Sequence, residues 1–96
     1  MRPSETLEKH RGAVRHIVSQ HRAGNPRVFG SVLSGDDTDE SDLDLLVDPA
    51  DGMTLFDLGA LRWELRRLLG VPVDVVTPRA LPDEFKDEVL AEASPV

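Results

Sequence analysis

The apolar residues change their spacing several times along the chain, and this alternation limits the folds that the chain can adopt. They recur with helical spacing over about residues 4–22, 55–69 and 82–93, and they alternate or run together in three short segments between these helices. The predicted order is helix, strand, strand, helix, strand, helix. A chain of 96 residues is expected to form one domain. We therefore expect an α/β fold over residues 1–96, with a small three-stranded mixed sheet flanked by helices.

Capping and turn residues indicate where these elements begin and end. Ser4 is a candidate N-cap for the first helix, Thr54 can begin the second helix, and Gly70 can end it. The strands are expected at about residues 27–29, 41–48 and 71–77. Because the second helix connects the second and third strands, these strands form a crossover, which is right-handed when they are parallel.

The acidic residues are concentrated in one part of the chain. The net charge is −7, and residues 36–51 hold eight of the 18 acidic residues and no basic residue. An acidic chain is poorly suited to bind long nucleic acids, which requires a basic surface. The absence of cysteine excludes disulfides and thiolate metal sites, and no apolar run approaches the ~20 residues of a membrane span. We expect a cytoplasmic protein that binds no membrane, in which residues 36–40 form a solvated loop.

Two aspartates of the acidic block alternate with leucines, as in a strand that has one polar face. Asp42 and Asp44 would project to one face, and Leu43 and Leu45 to the other. Two carboxylates about 5 Å apart repel each other by roughly 3 kcal/mol at an effective dielectric constant near 20. A divalent cation removes this repulsion, and Mg²⁺ binds carboxylates together with substrate phosphates. The pair alone indicates either an exposed strand face or a metal site.

A third aspartate and a glycine–serine turn favour the metal site. Asp74 lies inside the third strand, which the crossover can bring beside Asp42 and Asp44. Three carboxylates there would hold one or two Mg²⁺ ions, and without metal their repulsion would raise the pKa of at least one of them. Gly30 and Ser31 end the first strand, where a turn can offer backbone N–H groups and a hydroxyl to a phosphate.

This ordered set resembles the minimal nucleotidyltransferases of the DNA polymerase β superfamily, whose signature is a glycine–serine turn, a D-x-D motif and a third acid on a later strand. The resemblance implies that Gly30 and Ser31 bind the triphosphate, while Asp42, Asp44 and Asp74 are the catalytic, metal-binding residues. The third acid of the family also assists deprotonation of the acceptor hydroxyl.

Two further segments look like the antitoxin branch of this superfamily. They are the opening of the second helix, residues 54–58, and the third strand, residues 73–77, and the catalytic core would cover about residues 27–93. The branch implies transfer of AMP from ATP to a tyrosine hydroxyl of a partner ribonuclease toxin of the HEPN family. The chain would then act as an antitoxin within a hetero-oligomer.

The loop after the glycine–serine turn departs from the family pattern. Family members commonly carry an arginine there, whereas residues 32–35 read Val-Leu-Ser-Gly. Arg27 or Arg79 could take its place in holding phosphate. Two alternatives therefore stay open: a binding-only antitoxin that masks the toxin without catalysis, and a small-molecule nucleotidyltransferase.

A second apolar stripe on the predicted second helix bears on the question of a partner. Phe56, Ala60 and Trp63 are offset from the leucine stripe of this helix. They could pack against a neighbouring helix of the same chain or form a partner interface, in which aromatic residues are common anchors. Phe56 and Trp63 are the candidate interface residues.

Overall fold

Helices and strands alternate along the whole chain in the computed structural model, which describes residues 1–96. The helices are α1 (Pro3–Gln20), α2 (Ser31–Ser34), α3 (Leu55–Leu69) and α4 (Asp83–Glu92), with a 3-10 turn at Pro78–Ala80. The strands are β1 (Ala23–Phe29), β2 (Leu43–Pro49), β3 (Val73–Val76) and β4 (Ser94–Pro95). None of the helices is both long and apolar enough to cross a bilayer.

The strands form one mixed sheet in the order β3-β2-β1-β4. Strands β2 and β3 are parallel and are joined by α3, whereas β1 is antiparallel to both β2 and β4. The predicted α/β fold with a mixed sheet is confirmed, but the sheet has four strands instead of three. The extra strand β4 is only two residues long, pairing Ser94 with Val28 and Pro95 with Arg27. A segment of two residues has no periodicity that could have predicted it.

One face of the sheet packs against α1 and α3 and forms the hydrophobic core. From β2 this face receives alternate residues, and from α3 it receives a stripe at helical spacing that includes Leu61, Leu65 and Leu69. The predicted leucine stripe is therefore confirmed over most of α3. Its first member is an exception, because Leu55 directly follows the cap residue Thr54 and its side chain is 84% exposed.

The start of α1 differs from the prediction and involves the acidic loop. The helix begins at Pro3, and Ser4 is not its N-cap. Instead, the Ser4 backbone N–H donates a hydrogen bond to the Asp37 carboxylate at 2.9 Å. Asp37 is only 4% exposed, so the expectation of a fully solvated loop is wrong at this residue. Unpaired N–H groups at a helix start favour a nearby carboxylate, and this contact joins two segments that are distant in sequence.

The polar segment after β1 was predicted to be a loop but contains a single helical turn. This turn, α2, is ended by Gly35, whose φ of 81° lies in the left-handed region. Four residues are too few to show helical spacing of apolar side chains. The turn keeps the end of β1 close to the start of β2, where the candidate site lies.

Candidate active site

The strand pairing brings the predicted site residues together at one end of the sheet. Asp44 is the partner of Asp74 across the parallel pair of β2 and β3, and of Phe29 across the antiparallel pair of β1 and β2. Asp42 precedes Asp44 by two residues and therefore shares its face. Gly30 directly follows Phe29. Topology thus places the three aspartates and the glycine–serine turn side by side, on the face opposite to α1 and α3.

The carboxyl of Asp44 lies close enough to Asp42 and Asp74 to be affected by their charges. The pKa of Asp44 is raised to about 6, first because the carboxyl is half-buried, and then because of the negative charges of Asp74 and Asp42. The predicted rise in pKa of one member is confirmed, although burial contributes more than repulsion. Asp42 and Asp74 are exposed. The three neighbouring carboxylates concentrate negative charge, and a bound cation would reduce the repulsion between them.

Both the backbone conformation at Gly30 and the nearby carboxylate of Asp44 disfavour a side chain at this position. Its φ is 74°, a conformation that side chains rarely adopt, and a Cβ at this position would overlap the carboxylate of Asp44. The residue that follows, Ser31, has a hydroxyl that makes no hydrogen bond within the chain. The turn therefore lets the backbone approach Asp44 closely and leaves one hydroxyl beside it without a partner.

The donor set fits Mg²⁺, but it does not form a closed protein cage. No group of three or more His, Cys, Asp or Glu side chains lies close enough together to hold a metal ion. Mg²⁺ is commonly bound through one or two carboxylates, with substrate phosphates and water as its other ligands. Paired carboxylates that share one face, such as Asp42 and Asp44, match that requirement. They would need the phosphates of a nucleotide to complete the coordination.

Neither arginine suggested as a substitute for the missing loop arginine stands beside Gly30. Arg27 is only 16% exposed, and its Nη2 lies 2.8 Å from an oxygen of Asp48. Arg79 lines a hollow with Pro49, at the end of β2 away from Asp44. The structure gives neither side chain a role at the glycine–serine turn.

A groove beside the turn was not predicted. It has a volume of about 360 Å³ and lies between the end of β1 and α4. Phe29, Leu33 and Phe85 line it, together with the carboxyl-bearing residues Glu88 and Glu92. The sequence predicts α4 as an amphipathic helix, but helical spacing alone does not show which part of the sheet such a helix covers.

The two candidate interface residues do not pack inside the protein. Phe56 is 90% exposed and Trp63 is 58% exposed. The guanidinium of Arg67, on the same helix, lies 4.8 Å from the centre of the Trp63 ring. Packing against a neighbouring helix of the same chain, one of the two interpretations, is therefore wrong.

Comparison with known sequences identifies relatives over almost the whole chain. A family model described as "Nucleotidyltransferase domain" matches residues 7–95. A protein of Methanocaldococcus jannaschii named "Putative protein adenylyltransferase" is 36% identical over 77 residues, which cover 80% of this chain and 83% of that protein. A second protein of the same organism and name is 26% identical over 88 residues, covering 92% of this chain and 87% of that protein.

Solved structures share the fold. One, described as "Structure of putative minimal nucleotidyltransferase", is 45% identical with a TM-score of 0.87, covering 97% of this chain and 95% of that chain. Another, described as "Crystal structure of the toxin-antitoxin with AMP-PNP", is 20% identical with a TM-score of 0.70, covering 96% of this chain and 70% of that chain. The resemblance to the minimal nucleotidyltransferases is confirmed. The chain belongs to the nucleotidyltransferase domain family and is a nucleotidyltransferase of the minimal type.

Proposed function

We propose that the protein transfers AMP from ATP to a tyrosine hydroxyl of a HEPN ribonuclease toxin and so acts as its antitoxin. The observation that carries the proposal is the juxtaposition of Asp44 with Asp74 and Asp42 beside the turn at Gly30. Two relatives carry adenylyltransferase names, and a toxin–antitoxin structure has the same fold. We further propose that the two proteins form a hetero-oligomer in the cytoplasm, where a ribonuclease meets RNA.

The reaction requires a nucleophile, a leaving group and a base. The acceptor oxygen attacks the α-phosphorus of ATP, the bond from that phosphorus to the oxygen bridging to the β-phosphate breaks, and pyrophosphate leaves. We assign the hydroxyl proton to the carboxylate of Asp74, which is exposed and lies on an edge strand. Backbone N–H groups at Gly30 and Ser31, with the Ser31 hydroxyl, would hold the departing pyrophosphate.

The aspartates are the candidate ligands for Mg²⁺. Asp42, Asp44 and Asp74 would hold one or two ions, with the phosphates of ATP completing the coordination, because the three carboxylates alone do not form a closed metal site. Bound there, Mg²⁺ would offset the charge that develops on the phosphates and on the acceptor oxygen. With its pKa at about 6, Asp44 is mostly ionised at neutral pH, so it can bind a cation without first losing a proton.

Transfer of radiolabelled AMP tests the proposal. The protein, Mg²⁺ and α-labelled ATP are mixed with the purified cognate toxin, and the label on the toxin is measured. We expect Asp42→Asn and Asp44→Asn to abolish labelling. Asp48→Asn is the matched control, since Asp48 lies on the same face of β2 but is paired with Arg27; it should retain labelling. Full labelling of the toxin by either site variant would overturn the assignment.

A binding-only antitoxin is the second candidate. It is favoured by one observation, namely that neither candidate arginine stands at the turn, because Arg27 is engaged by Asp48 and Arg79 lies at the other end of β2. Isothermal titration with ATP and Mg²⁺ separates the two functions. Absence of binding at millimolar nucleotide, together with inhibition of the toxin, would favour this candidate over the enzyme.

A further inference from the structure

The outer face of α3 is apolar where a solvent-exposed helix is usually polar. Phe56 and Trp63 are among the most exposed large apolar residues of the chain. Between them lie Gly59, where an added Cβ would meet no atom within 4 Å, and Ala60, which is exposed. Two aromatic anchors separated by small residues leave room for another helix to approach the backbone closely.

This face is also locally basic on an acidic protein. Arg62 and Arg67 are exposed and form no ion pair. The two acids of the helix are already engaged: Asp57 accepts a hydrogen bond from the Thr54 backbone at 2.8 Å, and Glu64 lies 2.6 Å from His21. Positive charge without compensating acids, on a chain of net charge −7, is complementary to an acidic surface.

The face continues to the strand that carries Asp74. The Arg66 Nε donates a hydrogen bond to the Val73 carbonyl oxygen at 3.1 Å. A small hollow of about 150 Å³ is lined by Gly59, Arg62 and Val75, among others. The contacts from α3 therefore reach the residues on either side of Asp74, at the edge of the sheet.

The chemistry of transfer brings the acceptor to this same edge, a step that rests on the proposed function. In a displacement at phosphorus the attacking and leaving oxygens lie roughly in line, on opposite sides of the phosphorus. If pyrophosphate leaves over Gly30, next to β1, the acceptor must arrive from the opposite direction. Because the sheet order is β3-β2-β1 across the site, that direction is the edge at β3.

We infer that the outer face of α3, consisting of Phe56, Gly59, Ala60, Arg62, Trp63 and Arg67, docks an acidic helix of the acceptor protein. The aromatic side chains bury against the apolar side of that helix, and the two arginines pair with its carboxylates. Because α3 covers the sheet face opposite to the aspartates, an acceptor docked on its outer face reaches around the β3 edge, where its hydroxyl can approach Asp74. The face thus serves as a specificity surface for the protein substrate, separate from the nucleotide site.

Affinity for the purified cognate toxin, measured by isothermal titration, tests the inference. We expect Trp63→Ala and the double variant Arg62→Glu/Arg67→Glu each to weaken binding at least tenfold. Two matched controls change similar chemistry elsewhere: Leu90→Ala removes an exposed apolar side chain of α4, and Lys9→Glu reverses an exposed charge of α1. Both controls should bind the toxin as the unchanged protein does.

Two readouts keep this inference distinct from the proposed function. Binding of MgATP by the isolated chain should be unchanged in all variants, because the α3 face does not touch the aspartates. The chain contains one tryptophan, so the single ¹⁹F resonance of a fluorotryptophan-labelled sample should shift on addition of toxin but not of MgATP.

Three outcomes overturn the inference. If the α3 variants bind the toxin with unchanged affinity, the outer face of α3 is not the docking site, even where AMP transfer shows that the proposed function is correct. An equal loss of affinity in the controls shows that the effect is not specific to α3. Self-association in sedimentation that Trp63→Ala abolishes assigns the face to a second copy of this chain. Conversely, toxin binding that is lost only in the α3 variants, without any AMP transfer, retains the inference as a docking face and overturns the catalytic proposal.

Discussion

The two faces of strand β2 carry different chemistry although they share one backbone. The face toward α1 and α3 is apolar and fully buried, and it consists of Leu43, Leu45 and Val47. The opposite face carries the acids Asp44 and Asp48, with Asp42 just before the strand. Because a slip of one residue would exchange the two faces, the buried side fixes the register of the carboxylates. The core therefore determines where the residues of the candidate site lie.

The polar face itself divides into two ends. At one end Asp48 is bound by Arg27 at 2.8 Å and by the Asn25 side-chain amide at 3.0 Å. At the other end Asp44 faces the charges of Asp74 and Asp42 and forms no ion pair. Between them Leu46 is fully buried and separates the paired end from the unpaired one. The same residue type thus has a structural role at one end and is left available for a ligand at the other.

The largest expected effect comes from the buried face. Leu45→Ala removes a fully buried side chain, and we expect it to lower the free energy of unfolding by about 2–5 kcal/mol, through lost burial and the cavity left behind. Urea unfolding followed by circular dichroism measures the change. Asp42→Asn is the comparison on the exposed face; it should alter stability much less while it abolishes AMP transfer. Equal stability losses in the two variants would contradict the division of roles between the faces.

A smaller effect is expected at the turn that faces Asp44. Gly30→Ala and Gly35→Ala both place alanine at a positive φ, 74° and 81°, and both should destabilise the protein. Gly35 lies in the left-handed region, where we expect a cost of about 1–2 kcal/mol. Gly30 has a ψ of −150°, in a region essentially restricted to glycine, so its cost should be about 1–3 kcal/mol. Only the Gly30 variant also places a methyl group against the Asp44 carboxylate, since the Gly35 position is open. Nucleotide affinity in the presence of Mg²⁺ should therefore fall in Gly30→Ala alone.

The comparison of these two glycines tests whether alanine at a positive φ in this segment is by itself enough to weaken nucleotide binding. Titration of MgATP into both variants, at temperatures where each remains folded, provides the measurement. If Gly35→Ala lost as much nucleotide affinity as Gly30→Ala, strain of the whole α2 segment would explain the effect. The contact with Asp44 would then not be the cause of the lost nucleotide affinity.

The central part of the site was predictable because it depends on alternation and topology. Asp42 and Asp44 share a strand face by the period of the pleat, and the crossover through α3 places Asp74 beside them. The leucine patterns of α3 and β2 predicted the buried core for the same reason. These features depend on regular spacing over many residues, which a single sequence displays directly.

The features that were missed depend on contacts between distant segments. The burial of Asp37 follows from its contact with the start of α1, 33 residues away in sequence. The groove between β1 and α4 exists because α4, which follows β3 in the chain, lies beside the end of β1. Trp63 shows the converse, since its spacing was compatible with internal packing but its side chain is 58% exposed. Tertiary placement of this kind has no local signal.

The third prediction concerns Asp44 without metal and the dependence of stability on pH. Its pKa rises from 3.8 in an ordinary aspartate to about 6 in the folded protein, so the folded state binds more protons than the unfolded state between these values. Stability of the metal-free protein should therefore fall as the pH rises through this window. The shift corresponds to roughly 3 kcal/mol at 1.36 kcal/mol per unit, which solvent screening of the half-exposed carboxyl reduces to about 1 kcal/mol. At neutral pH, Asp44→Asn should stabilise the metal-free protein by about that amount, and the gain should shrink toward about pH 4.

Neutralising Asp37 should change the stability of the protein in the opposite direction to neutralising Asp44. The hydrogen bond that the Ser4 backbone N–H donates to Asp37, assisted by the nearby charge of Arg2, outweighs the opposing effect of burial and lowers the pKa of Asp37. An aspartate with a lowered pKa stabilises the fold at neutral pH and loses this contribution as the pH falls through its folded-state pKa. Asp37→Asn keeps an oxygen that can accept from Ser4 and removes only the charge, so it should destabilise at neutral pH and have less effect in acid. Urea unfolding of both variants across the acidic range should give differences from the unchanged protein of opposite sign at neutral pH. If both variants stabilised the protein, Asp37 would belong to the repulsive acidic surface, and its bond to Ser4 would not exist in solution.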